Sequence, residues 1–122
     1  MYLLVIDNND LNSIGKNIDT IGSLNASGNI GETYSSNLSN SIKNYKFIIL
    51  LFFADGYKDT RFLTIRNIET GSLNGRGYYM KIYASNNYWS EVNVGFYNDY
   101  TFEVRTLNYS GWAGSVWVYG LN

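Results

Sequence analysis

Few side chains of this chain can take part in covalent or acid–base chemistry. Its 122 residues include no histidine and no cysteine, which excludes imidazole bases, thiolate nucleophiles and Ser-His-Asp arrangements. Pairs of carboxylates remain, because two of them can hydrolyse a glycosidic bond. The acidic residues beyond Asn44 are Asp55, Asp59, Glu69, Glu91, Asp99 and Glu103. Nothing in their spacing indicates a catalytic pair, so we expect a protein that is not an enzyme and uses no cofactor.

A calcium loop is the one metal site that the sequence suggests. Asp55 and Asp59 flank a glycine, and two carboxylates with backbone carbonyls can wrap a calcium ion. The segment lacks the carboxylates at alternate positions and the distal glutamate of a recognised calcium loop. A turn is the simpler interpretation, and we expect no metal.

Aromatic residues dominate the second part of the chain. Nineteen of the 21 rings lie between Tyr45 and Tyr119, in a chain that also lacks proline. Tyrosine and tryptophan provide large, stiff contact surfaces with few torsions to freeze, which favours recognition over catalysis. The alternative is that the rings fill the core of an all-β domain.

Charge and hydropathy exclude two classes of partner. Nine basic and ten acidic residues nearly cancel and are scattered along the chain, whereas a nucleic-acid-binding protein needs a concentrated positive field. The apolar start at residues 2–6 is too short for a signal-peptide core or a membrane span. We therefore expect no nucleic acid and no membrane insertion.

The composition changes near Asn44 and predicts two regions. Of the 38 residues from Asp7 to Asn44, 20 are Asn, Ser or Gly, which is typical of linkers. A weak helical stripe, Leu11, Ile14, Ile18 and Ile21, lies within this region. Residues 1–44 are therefore predicted to be a linker or a short helical segment, and residues 45–122 a β-sandwich domain.

From Tyr45 onward apolar residues alternate with polar ones, the period of a β-strand. The predicted strands are 45–54, 61–67, 78–84, 89–97, 100–107 and 115–119, separated by turn-forming residues. Their number and spacing predict an antiparallel sandwich. The residues predicted to face the core are Met80, Ile82, Val92, Val94, Phe96, Phe102 and Val104.

One predicted strand is apolar on both faces. Successive side chains of a strand point to opposite faces, and residues 47–53 are all large and apolar. Leaving three of them in water would cost about 1.5 to 3 kcal/mol each. Either another part of the chain covers the outer face, or identical chains pack together there. For the second case the predicted oligomer interface is Ile48, Leu50, Phe52, Trp117 and Tyr119.

Ligands of β-sandwiches usually bind to loops at the rim, because the strands hold the loops while the loops are free to vary. A sugar can lay its apolar face on an aromatic ring while its hydroxyls bond to polar neighbours. The candidate ligand-binding residues are Tyr57, Asp59, Arg76, Asn87, Tyr88, Trp89, Asn108, Tyr109 and Trp112. For Trp89 and Trp112, packing at the ends of the sandwich is the alternative role.

The segment Leu38–Ile49, the string of short strands and the terminal Val116–Asn122 resemble the C-terminal tip domains of bacteriophage and prophage tail fibres. The isoleucine-glycine pairs at residues 14–15 and 21–22 are similar to short repeats that precede such tips. The resemblance covers residues 38–122. It implies a jelly-roll-like sandwich, usually a homotrimer, that binds a saccharide or protein receptor on a bacterial surface.

The sequence thus predicts a receptor-binding tip of a tail fibre that recognises a cell-surface saccharide and is carried on the virion tail. One alternative is a carbohydrate-binding, lectin-like module of a bacterial surface protein, either surface-bound or secreted without a conventional signal peptide. Another is a structural baseplate or decoration protein of a phage. Oligomeric state and binding to host polymers discriminate among the three.

Overall fold

The computed structural model describes residues 18–26, 29–73 and 77–122. These residues form eight strands and two short 3-10 turns. The strands are β1 (Ile18–Asn25), β2 (Thr33–Asn37), β3 (Phe47–Ala54), β4 (Tyr57–Thr64), β5 (Tyr78–Ser85), β6 (Tyr88–Asn98), β7 (Thr101–Ser110) and β8 (Ser115–Leu121). The 3-10 turns are Ile42–Asn44 and Ile65–Asn67.

The strands pair in two antiparallel four-stranded sheets, which confirms the predicted all-β sandwich. One sheet has the order β1-β8-β3-β4 and the other the order β2-β7-β6-β5. The first strand therefore pairs with the last and the second with the seventh, the nested pairing of a jelly roll. The β3–β4 pair and the β5–β6–β7 meander are instead joined by local hairpins.

The alternation of apolar and polar residues sets the core. Val92, Val94, Phe102 and Val104 are at most 1% exposed between the sheets, as are Phe96 and Met80, and Ile82 is 2% exposed. All seven residues predicted to face the core belong to one buried cluster. Because a strand's side-chain period is two, the intervening residues of β5, β6 and β7 point to the outside.

The predicted boundary at residue 44 is wrong for the part of the region that the structure describes. β1 and β2 lie in this region and belong to different sheets, so the sandwich already includes Ile18. The predicted helix is also wrong at Ile18 and Ile21, which lie in β1, while Leu11 and Ile14 lie outside the described residues. Ile21 is 2% exposed in the core, and the rest of β1 is held mainly by its ladder with β8.

The double-faced strand β3 buries both of its faces, as predicted. Its inner residues are Ile48, Leu50 and Phe52, each 0% exposed between the sheets. Its outer residues Ile49 and Leu51 form a second cluster with Tyr119, and the three are 3%, 1% and 1% exposed in a single chain. Ile18, Phe53, Phe62 and Trp117 pack against this cluster.

These burials correct the predicted oligomer interface. Ile48, Leu50 and Phe52 lie inside the sandwich and cannot contact a second copy without separating the sheets. Tyr119 is already buried in one chain, and Trp117 is half-buried beside it, with its ring stacked 6.5 Å from that of Tyr119. Burial of β3 therefore does not require the second predicted alternative, in which identical chains pack against it. Assembly into a trimer stays a prediction without this support.

Charged side chains join the open edges of the two sheets. Asp59 and Arg61 lie on the inner face of the edge strand β4, opposite Phe52 and Leu50. Asp59 Oδ2 accepts a hydrogen bond of 2.9 Å from the backbone N–H of Lys81. Arg61 Nη2 donates one of 2.7 Å to the carbonyl of Tyr79. Backbone groups on the exposed edge of β5 are thereby satisfied, which protects the edge from pairing with another chain.

Candidate functional site

Three aromatic rings meet at one end of the sandwich. The ring of Trp112 lies 5.2 Å from that of Tyr57 and 5.5 Å from that of Tyr88, measured between centroids. The planes are tilted by 37° and 40°, within the offset geometries that aromatic pairs favour. The three residues lie at separate connections: Tyr57 begins β4 after the β3–β4 turn, Tyr88 begins β6 after the β5–β6 turn, and Trp112 lies in the β7–β8 loop. We call them the rim cluster.

Tyr57 and Tyr88 approach each other because both side chains point to the inner face of their sheets. Tyr57 has the same parity as the inward-facing Asp59 and Leu63 of β4, and Tyr88 the same parity as Ser90 and Val92 of β6. Both tyrosines stand at the ends of their strands, beyond the part of the core that the opposite sheet covers. They remain 47% and 51% exposed, so the rim cluster closes the end of the sandwich and still presents ring surface to solvent.

The β3–β4 hairpin positions Tyr57 through a tight turn. Asp55 and Gly56 form its two-residue loop, and their φ angles of 48° and 85° are both positive. Two positive φ angles indicate the type I′ turn that matches the twist of a hairpin, and Asp-Gly is a favoured pair for it. The segment is thus a turn, and Asp59 faces β5, so the two carboxylates do not form a calcium loop. The described residues contain no cluster of three acidic, histidine or cysteine side chains.

Trp112 is held by the close approach of two loops. Gly111 has a φ of 79°, and a Cβ atom there would lie 2.3 Å from the carbonyl oxygen of Asn87. Only glycine therefore lets the β7–β8 loop lie against the β5–β6 hairpin. The half-buried Trp112 also packs against the main core. Trp112 therefore packs at the end of the sandwich, the alternative role predicted for it, and it is also the central ring of the rim cluster.

Trp89 does not join the rim cluster, because it points to the opposite side of β6. It lies opposite Tyr83 on the outer face of the sheet, where the Lys81 ammonium lies 5.7 Å from the Trp89 ring and 5.6 Å from the Tyr83 ring. Tyr83 is 52% exposed and donates a hydrogen bond of 2.7 Å to Asn86 Oδ1. Neither Lys81 nor Tyr83 was among the candidate site residues, although the alternation of β5 places both on the outer face.

The polar candidates are divided among several places. Asn87 borders the rim cluster, where its carbonyl accepts a 3.4 Å hydrogen bond from Ser110 Oγ. Asn108 pairs with Glu91 across the β6–β7 ladder, and Tyr109 pairs with Ser90. Asp59 belongs to the edge of the sandwich and not to the rim, because Arg61 and the backbone of β5 occupy its carboxylate. Arg76 lies outside the described residues.

Tyr79 of β5 and Glu91 of β6 form a hydrogen-bonded pair on the outer face of the sheet. The Tyr79 hydroxyl donates a hydrogen bond to Glu91 Oε2. Partial burial, followed by this hydrogen bond and the charge of Glu91, raises the pKa of Tyr79 to about 12. The phenol thus stays protonated at neutral pH, and it serves as a donor that fixes the glutamate on the face of the sheet.

The exposed rings of the rim cluster are suited to holding a ligand by surface contact. Its members are aromatic, and the Asn87 carbonyl and the Ser110 hydroxyl lie in the loops beside it. Stacked rings with a few convergent polar groups are typical of sites for ligands that have an apolar face and several hydroxyls. Comparisons with protein-family models, curated proteins and solved structures gave no match to this chain.

Proposed function

We propose that this chain is a non-enzymatic binding module that recognises a cell-surface saccharide through the rim cluster. The observation that carries the proposal is the convergence of Tyr57, Trp112 and Tyr88 from three connections onto one exposed surface. A surface assembled from three loops is supported by a rigid sandwich, and its rings lose little freedom on binding. The sugar's apolar face lies on the rings, and its hydroxyls bond to Asn87 and the neighbouring backbone.

We further propose that the module acts as the receptor-binding tip of a phage or prophage tail fibre. The proposal is supported by the resemblance of residues 38–122 to such tips. It is also supported by the exposed aromatic surface of the rim cluster. A lectin-like module of a bacterial surface protein would use the same rim cluster. Labelling of intact phage particles with an antibody against this chain separates the two, because only a tail-fibre tip places the label at the end of the tail.

A pair of tyrosines on the same strand gives a matched test of the rim cluster. Tyr88 and Tyr97 stand at opposite ends of β6 and are 51% and 54% exposed. The fluorescently tagged protein and its variants Tyr88→Ala and Tyr97→Ala are incubated with a panel of intact bacteria and with cell-surface polysaccharides. Loss of one contacting ring is worth about 1 kcal/mol, so Tyr88→Ala should weaken binding about fivefold.

The control variant Tyr97→Ala should bind like the unmodified protein, because its ring lies far from the rim cluster. Trp112→Ala should lower affinity more than Tyr88→Ala, since it removes the central ring that contacts both tyrosines. Absence of binding to every bacterial surface polymer, or equal losses in Tyr88→Ala and Tyr97→Ala, would overturn the proposal.

A further inference from the structure

A cleft at the other end of β6 has a different chemical character from the rim cluster. Its volume is about 200 Å³, and it is lined by Asn67, Glu69, Gly71, Leu73, Gly77, Tyr78, Gly95 and Phe96. Along β6, Phe96 lies about 25 Å from Tyr88, at about 3.3 Å per residue. Pockets for drug-sized ligands have about 300 to 1,000 Å³, so this cleft is of a size for a single sugar residue.

Backbone contacts fix the loop that carries the charged wall of the cleft. The N–H of Gly71 donates a 2.9 Å hydrogen bond to the carbonyl of Phe96, and Thr70 forms a parallel bridge with the same residue. The N–H of Ile68 bonds to the carbonyl of Ile65 at 3.0 Å. Glu69 therefore lies between two anchored points and not on a free loop.

Gly95 and Gly77 leave room for the side chain of Leu73, which forms the floor of the cleft. A Cβ atom at Gly95 would lie 2.6 Å from Leu73 Cδ2, and one at Gly77 would lie 2.7 Å from the same atom. Leu73 is 3% exposed, so it seals the base of the cleft with an apolar side chain. The lining residues that carry polar side chains are Asn67, Glu69 and Tyr78.

The only charge among the described lining residues is negative. No lysine or arginine is among them, and Glu69 is exposed. Burial, followed by the negative charge of Glu69, raises the pKa of Tyr78, so the carboxylate and the phenol share one electrostatic environment. A carboxylate beside an aromatic ring attracts a cation both as an ion pair and through the ring face.

We propose that this cleft binds a positively charged amino sugar residue, with its ammonium group on Glu69 and its hydroxyls on Asn67 and the Tyr78 hydroxyl. A neutral sugar leaves the carboxylate without a charged partner, whereas an amino sugar supplies one. The cleft goes beyond the function proposed above, because no residue of the rim cluster lines it. A surface polymer that contains free amino groups would thus be held at two ends of the sandwich.

The test uses the full chain labelled with nitrogen-15 and glucosamine hydrochloride as the probe, at pH 6 and constant ionic strength. Glucosamine should shift the amide resonances of Gly71, Gly77 and Gly95 in a saturable manner, and glucose should bind at least about fivefold more weakly. Glu69→Gln keeps the shape of the side chain and removes its charge, and it should weaken glucosamine binding about tenfold. Glu91→Gln, a glutamate on the outer face of the sheet, is the matched control and should leave the affinity unchanged.

Three outcomes would overturn the inference. They are equal affinities for glucose and glucosamine, an unchanged affinity in Glu69→Gln, and equal binding of lysine amide, which would show recognition of an ammonium group without the sugar. The spectrum of each variant verifies that it is folded. Tyr88→Ala should leave the glycine shifts intact, so failure of the rim cluster and failure of the cleft are distinguishable.

Discussion

Replacement of Gly120 by alanine should be among the most destabilising single changes in this sandwich. Gly120 lies in β8, opposite Ile48 of β3 and Asp19 of β1. A Cβ atom there would lie 2.5 Å from three ring atoms of Tyr45. Tyr45 is 5% exposed and cannot swing out freely, because its hydroxyl donates to Asp19 Oδ2 at 2.8 Å and accepts from Asn40 Nδ2 at 3.1 Å.

The loss of stability depends on how far the Tyr45 ring must move to admit the new carbon atom. An extra carbon in a packed core costs about 1 to 3 kcal/mol when neighbours shift, and each hydrogen bond lost by Tyr45 adds about 1 kcal/mol. We expect Gly120→Ala to lower the free energy of unfolding by about 3 kcal/mol. For a domain of this size that corresponds to a fall in Tm of about 10 °C.

Urea unfolding at pH 7, followed by circular dichroism, measures the effect. The control is a double-mutant cycle with Tyr45→Ala, which removes the ring. In that background Gly120→Ala should cost less than about 1 kcal/mol, because the coupling between touching residues is lost. An equal cost in both backgrounds, or a cost below about 0.5 kcal/mol in the unmodified protein, would refute the steric argument.

Three further predictions concern the edge, the outer face and the cleft. Asp59→Ala should lower the free energy of unfolding by about 1 to 2 kcal/mol and speed hydrogen exchange at the Lys81 amide, since that amide loses its acceptor; unchanged exchange would contradict the role given to Asp59. Folding raises the pKa of Tyr79 from its usual value near 10 to about 12, so its stabilising contribution is complete below pH 10 and is lost as pH rises through 12. Urea titrations at pH 9 and pH 11 should show a smaller loss in Tyr79→Phe than in the unmodified protein. Gly95→Ala should cost only about 1 kcal/mol, because the atom that it meets is the flexible end of Leu73; a cost equal to that of Gly120→Ala would be the contrary result.

Much of the sandwich could be predicted because β6 and β7 alternate cleanly. Val92, Val94, Phe102 and Val104 all face the core as expected, since one face of each strand is apolar and the other is not. The same period separates Trp89 from Tyr88, although both were candidate ligand-binding residues at the rim. Neighbours within a strand face opposite sides, and that rule separates residues that are adjacent in the sequence.

The outer strands β1 and β2 were not predicted because little of their stability is visible in their own side chains. Their Asn, Ser and Gly residues are held by backbone hydrogen bonds to β8 and β7. Strand β3 shows another limit, since both of its faces are apolar and the sequence cannot say which parity faces the core. The three residues of the rim cluster were all candidate ligand-binding residues. Their contact with one another was not predicted, because it depends on the topology of the sandwich.

The position of β8 has a consequence for the order of folding on the ribosome. β8 lies between β1 and β3, so the sheet to which it belongs has a gap at its centre until residues 115–121 have been synthesised. Until then β1 has no ladder partner in its sheet, and β3 is hydrogen-bonded to β4 along one edge only. Long-range pairing of this kind is slow and exposes unpaired edges to aggregation. Chains that end before Ser115 should therefore depend on chaperones, whereas released chains that include residues 115–121 can complete the sheet.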